Sequence, residues 1–434
     1  MILNLIRIVQ DTISTIIKLF IAYNLIVKYG FSFGMSCYLL TYACYRIFMY
    51  KLFSIISLSY NEIPFLAYET QSILIASIQN EKNELTPAKI KDLIIKEITK
   101  NIKRMRLKLT YIYFLFDYYW VETNINEIQT HINIVDEPIS TNEVNNYVLK
   151  ELNNKNELKS DNIPYIIKII KYTDKNEILL LVKYSRILCD EYMVTKLVYN
   201  ICGEKVNIHN KTKYKKFINY VKYLPMLLLY NIPLCLYKSI LNIFNFKFLK
   251  QDDTNNTINT QIGQAHSLDN FTNNCVLNKT TFDKQIYQII KQTYNLNDND
   301  NIILNTYNKE STSTQLLITT FQQVCTNNNQ IHSLTYSTIL YILTQFISHR
   351  LLYYIIYHSY LKKTKIVINI LPAIFPPNNN ITSLLSISCI INYNIPIFSV
   401  VLHNNSFICT ISSNNTDIIN NIDSNINHYI NVSL

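Results

Sequence analysis

The stretch Ile178-Leu-Leu-Leu-Val-Lys-Tyr-Ser185-Arg186-Ile-Leu-Cys-Asp190-Glu191 begins with a run of apolar residues and ends in polar ones. A short apolar run bounded by polar turn residues is typical of a buried β-strand. Apolar residues then recur at helical spacing up to Gly203, namely Val194, Leu197, Val198 and Ile201. The stretch therefore predicts a buried strand, a turn at Ser185 and Arg186, and a helix that ends near Gly203.

The residues before this stretch predict more strands and helices. Apolar runs at 164–171 and 177–184 flank the polar turn 173–176, a pattern typical of a β-hairpin. Ser140 and Glu143 form a capping-box pattern ahead of a helix. Helices and strands that alternate in this way indicate an α/β fold.

A basic, amphipathic helix is predicted to start at Thr86-Pro87. Its polar face and the residues that follow it carry Lys89, Lys91, Lys96, Lys100, Lys103, Arg104, Arg106 and Lys108. Such a face is either solvated or in contact with lipid headgroups or a phosphorylated cofactor, and the sequence leaves both open. Residues 107–121 are then rich in Tyr, Phe and Leu, which predicts a strand passing into a loop near Trp120.

The N-terminal segment is strongly apolar. Between Leu19 and Tyr45 the only charged residue is Lys28. Two helices that turn near Gly30 would each be short for a bilayer, so we expect a membrane hairpin or one tilted transmembrane helix. The alternative is an apolar helix pair buried inside the protein.

The second half of the chain also predicts an α/β unit. Helices are expected at 313–326 and 333–360, and strands at 365–371, 384–391, 395–402 and 406–412. We interpret the polar stretch 251–301 as a boundary between lobes. The predicted division is membrane-associated helices (1–58), a first lobe (59–210), a linker with an interfacial apolar segment and a polar loop (211–300), and a second, shortened lobe (301–434).

Composition excludes several classes of protein. The chain has only four glycines and no glycine cluster, which argues against a Walker or Rossmann nucleotide site. Its nine scattered cysteines lack the spacing of a zinc site or a disulfide framework, so we expect no metal and a reducing compartment. The net charge of +10 fits an anionic partner. Aromatic residues are not interleaved with a basic stripe, which argues against nucleic acid.

One family shares several of these features. The sequence has Trp120-Val121-Glu122, then His131-Ile132, then Pro164-Tyr165, and then the strand that ends at Ser185. In this order and spacing it resembles the wax ester synthase/diacylglycerol acyltransferase family of the condensation-domain/chloramphenicol-acetyltransferase-like superfamily. That family's motif is His-His-x-x-x-Asp-Gly. Ser185 and Arg186 stand at the two His positions, Asp190 at the Asp and Glu191 at the Gly.

The resemblance implies a two-lobed, CoA-dependent acyltransferase-like fold with mixed sheets behind the N-terminal segment. It also implies that the second histidine of the motif deprotonates an alcohol that attacks an acyl-CoA thioester. A general base needs a pKa near the working pH, and the guanidinium of Arg186 stays protonated. Ser185, Arg186 and Asp190 are therefore the positions of a degenerate catalytic motif. A local ion pair between Asp190 and Arg186 and a substitute base at Asp190 or Glu191 both stay open.

Three hypotheses about function follow. The first is a membrane-associated O-acyltransferase-like pseudoenzyme that retains an acyl-binding tunnel. The second is an active transferase that makes wax esters or triacylglycerol, with acyl-CoA as co-substrate and a long-chain alcohol or diacylglycerol as acceptor. The third is a non-catalytic lipid-binding or scaffold protein. All three imply membrane lipid as a partner, no resident cofactor and an intracellular, endoplasmic-reticulum-like membrane.

Overall fold

The computed structural model describes residues 2–53, 55–58, 70–80, 85–112, 117–154, 163–188, 191–203, 259–267, 282–298, 300–308, 313–320, 346–347, 364–371, 378–390, 395–404 and 406–413. Its α-helices are α1 (Ile2–Tyr29), α2 (Phe31–Phe53), α3 (Pro87–Lys100), α4 (Ile125–Thr130), α5 (Val144–Asn153), α6 (Glu191–Ile201) and α7 (Phe282–Thr293). Short 3-10 helices span Lys103–Arg106 and Thr141–Glu143.

Fourteen strands occur in the described part of the chain. They are β1 (Ile56–Ser57), β2 (Thr70–Gln79), β3 (Leu107–Ile112), β4 (Asp117–Glu122), β5 (Ile132–Ile139), β6 (Tyr165–Tyr172), β7 (Glu177–Ser185), β8 (Asn259–Ser267), β9 (Asn301–Asn308), β10 (Ser313–Thr320), β11 (Thr364–Leu371), β12 (Ile381–Ile390), β13 (Ile397–His403) and β14 (Ser406–Ser413).

These strands form three sheets. A small sheet has the order β1-β4-β3, a five-stranded sheet has the order β12-β2-β7-β6-β5, and a six-stranded sheet has the order β10-β9-β11-β13-β14-β8. The two large sheets are mixed, because β5 and β6 are parallel in one, and β11 is parallel to both β9 and β13 in the other. The predicted α/β class with mixed sheets behind an apolar helical segment is confirmed.

The central strand β7 is buried on both faces of the five-stranded sheet. Alternate side chains of a strand point to opposite faces. Leu180 and Val182 join a core with α3 and α6, whereas Leu179 and Leu181 join a second core with α5. Burial on both faces explains why the strand appears in the sequence as a continuous apolar run.

Strand β12 joins the two halves of the chain. It follows β11 of the six-stranded sheet, yet it pairs with β2 at the edge of the five-stranded sheet. Ser388 of β12 lies opposite Ser72 of β2 in this ladder. The five-stranded sheet is therefore completed by a strand from the second half of the chain.

The N-terminal helices α1 and α2 form a tight antiparallel hairpin. Gly30 connects them with a φ of +80°, a left-handed conformation that glycine adopts at little cost. A Cβ atom at Gly34 would lie 2.6 Å from Ile26 Cα of α1. The absence of a side chain at Gly34 therefore lets the two helix backbones approach closely.

Several sequence predictions are borne out locally. The hairpin β6–β7 turns at the predicted residues, and α6 ends just before Gly203, which has a φ of +91°. The capping box of Ser140 and Glu143 is present ahead of α5.

Other predictions are wrong. Residues 313–320, predicted as part of a helix, form β10, because their β-branched residues pair in register with β9. Trp120, predicted near a loop, lies inside β4. The polar stretch 251–301 is not only a loop, because it contains β8, which pairs with β14, and α7, which packs onto the six-stranded sheet. Its interpretation as a boundary between lobes stays a prediction. The predicted interfacial segment and nearly all of 333–360 lie outside the described residues.

Candidate functional site

The degenerate motif lies where β7 ends, between the two large sheets. Ser185 is the last residue of β7, and its N–H donates to the Pro164 carbonyl at 2.9 Å. Arg186 begins the turn, and its N–H donates to the Thr70 carbonyl at 3.3 Å. Asp190 lies outside the described residues, so its predicted role stays a prediction.

Arg186 is buried, and its guanidinium binds three polar side chains. Its Nε donates to Ser72 Oγ on β2 at 3.1 Å, and its Nη1 donates to Asn369 Oδ1 on β11 at 3.1 Å. Its Nη2 forms an ion pair with Glu191 Oε1 in the first turn of α6. We call these four residues, Arg186, Ser72, Asn369 and Glu191, the Arg186 clamp.

The Arg186 clamp continues into a set of buried side-chain hydrogen bonds. Ser72 Oγ is 2.7 Å from Ser388 Oγ on β12. Asn369 Nδ2 donates to Ser399 Oγ on β13 at 3.1 Å. These bonds tie the guanidinium to strands of both large sheets.

The electrostatics of the Arg186 clamp favour a fixed pair of charges. The Arg186 and Glu191 side chains are only 3% and 6% exposed. A buried charge is tolerated when an opposite charge and hydrogen bonds compensate its lost hydration. Glu191 also stands at the N-terminus of α6, where the helix dipole favours an anion. Arg186 is thus held as a structural cation.

A narrow cavity lies beside the Arg186 clamp. Its empty volume is about 280 Å³, and it is lined by Glu191, Asn369, Ile370, Leu371, Ser386, Ser399, Val400 and Val401. Part of this volume is open to solvent, and the enclosed space is sufficient for about one water molecule. Ser386 Oγ is buried, with no hydrogen-bond partner among the described residues. The cavity is therefore too small for a long acyl chain, and its lining combines polar and apolar residues.

Arg104 supports the turn that follows Arg186. Its Nε donates to the Leu188 carbonyl at 2.7 Å, and its guanidinium lies over the Trp120 ring at 5.6 Å. In the sequence Arg104 is one of eight basic residues, and nothing there distinguishes it from its neighbours. The link to Leu188 spans 84 positions, which a local pattern cannot reveal.

Two histidines near the site are held by hydrogen bonds. His403 Nε2 is 2.9 Å from the Ile381 carbonyl, and its Nδ1 is 2.9 Å from Tyr199 Oη. A carbonyl only accepts, so Nε2 carries the proton and Nδ1 accepts from Tyr199. Burial lowers the pKa of His403, which keeps this neutral form.

His131 is held in a similar way. Its Nδ1 is 3.0 Å from the Tyr165 carbonyl. The described residues contain no group of three or more His, Cys, Asp or Glu side chains that could hold a metal ion. The hydrogen bonds of His131 and His403 go to Tyr165, Tyr199 and Ile381, and none goes to Arg186.

Comparison with known proteins gives similarity of structure only. No protein-family model matches the sequence, and no curated protein matches it. The chain is similar to a wax ester synthase/diacylglycerol acyltransferase from Marinobacter aquaeolei VT8, with 12% identity and a TM-score of 0.49 over 84% of this chain and 93% of that one.

Two further solved structures are similar to the chain. One is the condensation domain of Monacolin K polyketide synthase MokA, with 9% identity and a TM-score of 0.48 over 87% of this chain and 97% of that one. The other is polyketide synthase associated protein 5 from Mycobacterium tuberculosis, with 10% identity, a TM-score of 0.48 and the same coverage. These values concern the overall fold, and the roles of Arg186 and its neighbours rest on their own contacts.

Proposed function

We propose that this chain is a membrane-associated protein with an acyltransferase-like fold that has lost acyl transfer, and that the Arg186 clamp now joins its two lobes. One observation carries the proposal. The guanidinium of Arg186 contacts side chains from β2, β11 and α6, where the family resemblance expects a free base.

The chemistry of the Arg186 clamp supports loss of activity. A general base must accept a proton at working pH, and Arg186 cannot release one to become a base. Among the described residues, Glu191 is the carboxylate that pairs with Arg186, and this ion pair occupies one of its oxygens. The adjoining cavity encloses space for about one water molecule, which leaves little room for an acyl chain and an acceptor together.

The membrane part of the proposal rests on the hairpin of α1 and α2. Among the described residues, all but three of the exposed large apolar side chains belong to these helices, the exceptions being Ile56, Ile125 and Ile134. Within α1, the segment Thr12–Tyr29 has a mean hydropathy of 1.3 and is 17% buried. It is also the one segment, among the described residues, that is long and apolar enough to be considered as a membrane span. Exposed apolar surface of this extent favours contact with lipid acyl chains.

Turnover of acyl-CoA tests the catalytic half of the proposal. The detergent-solubilised protein is incubated with long-chain acyl-CoA and either a long-chain alcohol or diacylglycerol, and ester formation is measured. We expect no turnover above background. Asp190→Ala and Glu191→Gln serve as probes of a substitute base, and Lys171→Ala, on an exposed side chain of β6, is the matched control.

The outcomes separate the hypotheses. Ester formation by the parent that Asp190→Ala or Glu191→Gln abolishes, while Lys171→Ala does not, would establish an active transferase and overturn the proposal. Absence of ester with all variants, alongside unchanged melting of the control, supports a non-catalytic role. Flotation with phosphatidylcholine vesicles tests the hairpin separately, and a protein that stays at the bottom of the gradient in detergent-free buffer contradicts membrane association.

A second candidate function is lipid binding without catalysis. Four of the residues that line the cavity are polar, namely Glu191, Asn369, Ser386 and Ser399, and the other four are apolar. This amphipathic lining favours a ligand with a small polar group and a short apolar part. Direct binding of short-chain acyl-CoA, measured by calorimetry on the parent and Ser386→Val, distinguishes this candidate from a purely structural role.

A further inference from the structure

The exposed face of α3 carries a stripe of lysines. Successive residues of an α-helix turn by 100°, so positions 7 and 11 residues apart return to within about 20° of the same direction. Lys89, Lys96 and Lys100 have this spacing, and Lys103 continues the line into the following 3-10 helix. All four side chains are exposed. We call these four residues the lysine stripe.

The lysine stripe lies opposite the buried face of its helix. Ile90, Ile94 and Ile98 of α3 are completely buried against the five-stranded sheet and α6. The opposite face has one exposed carboxylate at the flank of the stripe, Asp92, while Glu97 accepts hydrogen bonds from Asn101 and Asn200. The outer face of α3 is therefore dominated by positive charge.

Local helix stability explains only part of the lysine stripe. Lys100 stands in the last turn of α3, where the helix dipole favours a cation, but Lys89 stands in the first turn, which contains no acidic residue and where the dipole disfavours a cation. Lys96, Lys100 and Lys103 form no ion pair with the described residues. These three ammonium groups are therefore available to an anionic partner.

The lysine stripe is connected to the N-terminal hairpin through the small sheet. Helix α2 leads into β1, which pairs with β4, and β4 pairs with β3. Two strand spacings, about 10 Å, separate β1 from β3. Lys103 lies just before β3, and Tyr119 of β4 packs with Met49 near the end of α2. The basic end of α3 therefore belongs to the same part of the body as the base of the hairpin.

We propose that the lysine stripe holds the body of the protein against a membrane surface that contains anionic lipids. This inference rests on the proposed membrane association of the hairpin and adds the class of lipid that the body recognises. Each basic residue near an anionic surface raises membrane partitioning by roughly fivefold, and salt screens the effect over a Debye length. The stripe thus sets the orientation of the body rather than insertion of the hairpin.

Energy transfer from Trp120 measures this orientation in the full-length protein. Trp120 is the single tryptophan of the chain and lies buried beside Arg104, next to the end of the stripe. The protein is mixed with vesicles that carry a dansyl-headgroup acceptor lipid, made either of phosphatidylcholine alone or of phosphatidylcholine with about a third phosphatidylserine. We expect stronger transfer in the phosphatidylserine vesicles and its loss at 1 M salt, where the Debye length is about 3 Å.

Matched charge reversals show which face of the protein contacts the vesicle surface. Lys96→Glu with Lys100→Glu is compared with Lys171→Glu with Lys365→Glu, two exposed lysines on β6 and β11 that give the same change in net charge. The first pair should abolish the response to phosphatidylserine, and the second should leave most of it. Lys96→Gln with Lys100→Gln repeats the test with a milder change, and thermal melts verify that each variant is folded.

The result that overturns this inference is distinct from failure of the proposed function. Equal transfer with and without phosphatidylserine, or equal loss in both variant pairs, contradicts recognition by the lysine stripe. An acidic protein partner for the stripe would give the first of these results. Failure to float with phosphatidylcholine vesicles contradicts the hairpin's role alone, because the stripe is tested by the difference that phosphatidylserine makes.

Discussion

The N-terminal hairpin and the Arg186 clamp distribute apolar and charged side chains in opposite ways. In the hairpin, large apolar residues such as Phe20 and Leu40 are 65% and 67% exposed. At the clamp, the charged side chains of Arg186 and Glu191 are almost completely buried. A protein that met only water would normally arrange both regions the other way round.

In both regions, whether a side chain is buried or exposed depends on the groups that surround it and not on its residue type alone. The hairpin can leave its apolar side chains exposed if lipid replaces water around them. The clamp can bury charge because Arg186 and Glu191 pair with each other, and because Arg186 also donates hydrogen bonds to side chains from both large sheets. Loss of any one of these partners should therefore destabilise the region that depends on it.

Removal of one charge from the clamp should have the largest effect on stability. Arg186→Ala leaves the Glu191 carboxylate buried without its cation, which costs about 3–5 kcal/mol. Thermal unfolding in detergent measures the loss. The double variant Arg186→Met with Glu191→Leu removes both charges and should recover most of the stability. A single variant as stable as the parent would mean that the clamp is hydrated and not structural.

A side chain at Gly34 should disturb the hairpin. Gly34→Leu places atoms where α1 backbone atoms of Leu25 and Ile26 lie, and overpacking of this kind costs about 1–3 kcal/mol. Cross-linking between cysteines introduced at Lys18 and Tyr42, whose side chains face each other across the hairpin, should decrease. Gly30→Asn is the control, since Asn tolerates a positive φ and nothing lies within 4 Å of its added Cβ.

The hydrogen bond from Arg186 to Asn369 of the six-stranded sheet should contribute less to the free energy of unfolding than the ion pair of Arg186 with Glu191. Asn369→Leu removes the acceptor of Arg186 Nη1 and the donor to Ser399 Oγ, and a buried donor left without a partner costs about 1–3 kcal/mol. Ser399→Ala removes only the outer bond and should cost about 1 kcal/mol. Chemical denaturation compares the two. Equal costs would place the important contact at Ser399 instead of Arg186.

Acidification should weaken the hydrogen bond that joins His403 of β13 to Tyr199 of α6. Burial lowers the pKa of His403 below its usual value of 6.5, so the unfolded chain binds a proton more readily than the folded protein. Stability is therefore full above about pH 6.5 and falls as the pH decreases through the lowered pKa, by at most about 1.4 kcal/mol per pH unit. His403→Gln, which can still donate and accept hydrogen bonds, should flatten this part of the profile. An unchanged profile would show that His403 does not cause it.

Local patterns in the sequence predicted much of the five-stranded sheet and the helices that pack on it. The apolar run from Ile178 and the residues around Glu143 specify β7 and the start of α5 through interactions within a few positions. Residues 313–320 were harder, because Leu and Ile among Thr residues suit either a helix or a strand until β9 is present as a neighbour. The proposed domain boundaries stay predictions.

The candidate site was predicted only in part. The sequence singled out Arg186 as a cation where a base is expected, and it named Asp190 or Glu191 as neighbours. The structure pairs Arg186 with Glu191. Ser72 and Asn369 were not foreseen, because they lie 114 and 183 positions from Arg186, and only the folded chain brings them together.

The placement of β12 has a consequence for how the protein is made. During synthesis on the ribosome, β2 emerges roughly 300 residues before its edge partner, the strand Ile381–Ile390. Until then the hydrogen-bonding groups along one side of β2 face no strand, and such an open edge invites pairing with other nascent chains. A chain truncated before residue 381 would keep this edge of β2 open and would therefore be prone to aggregate.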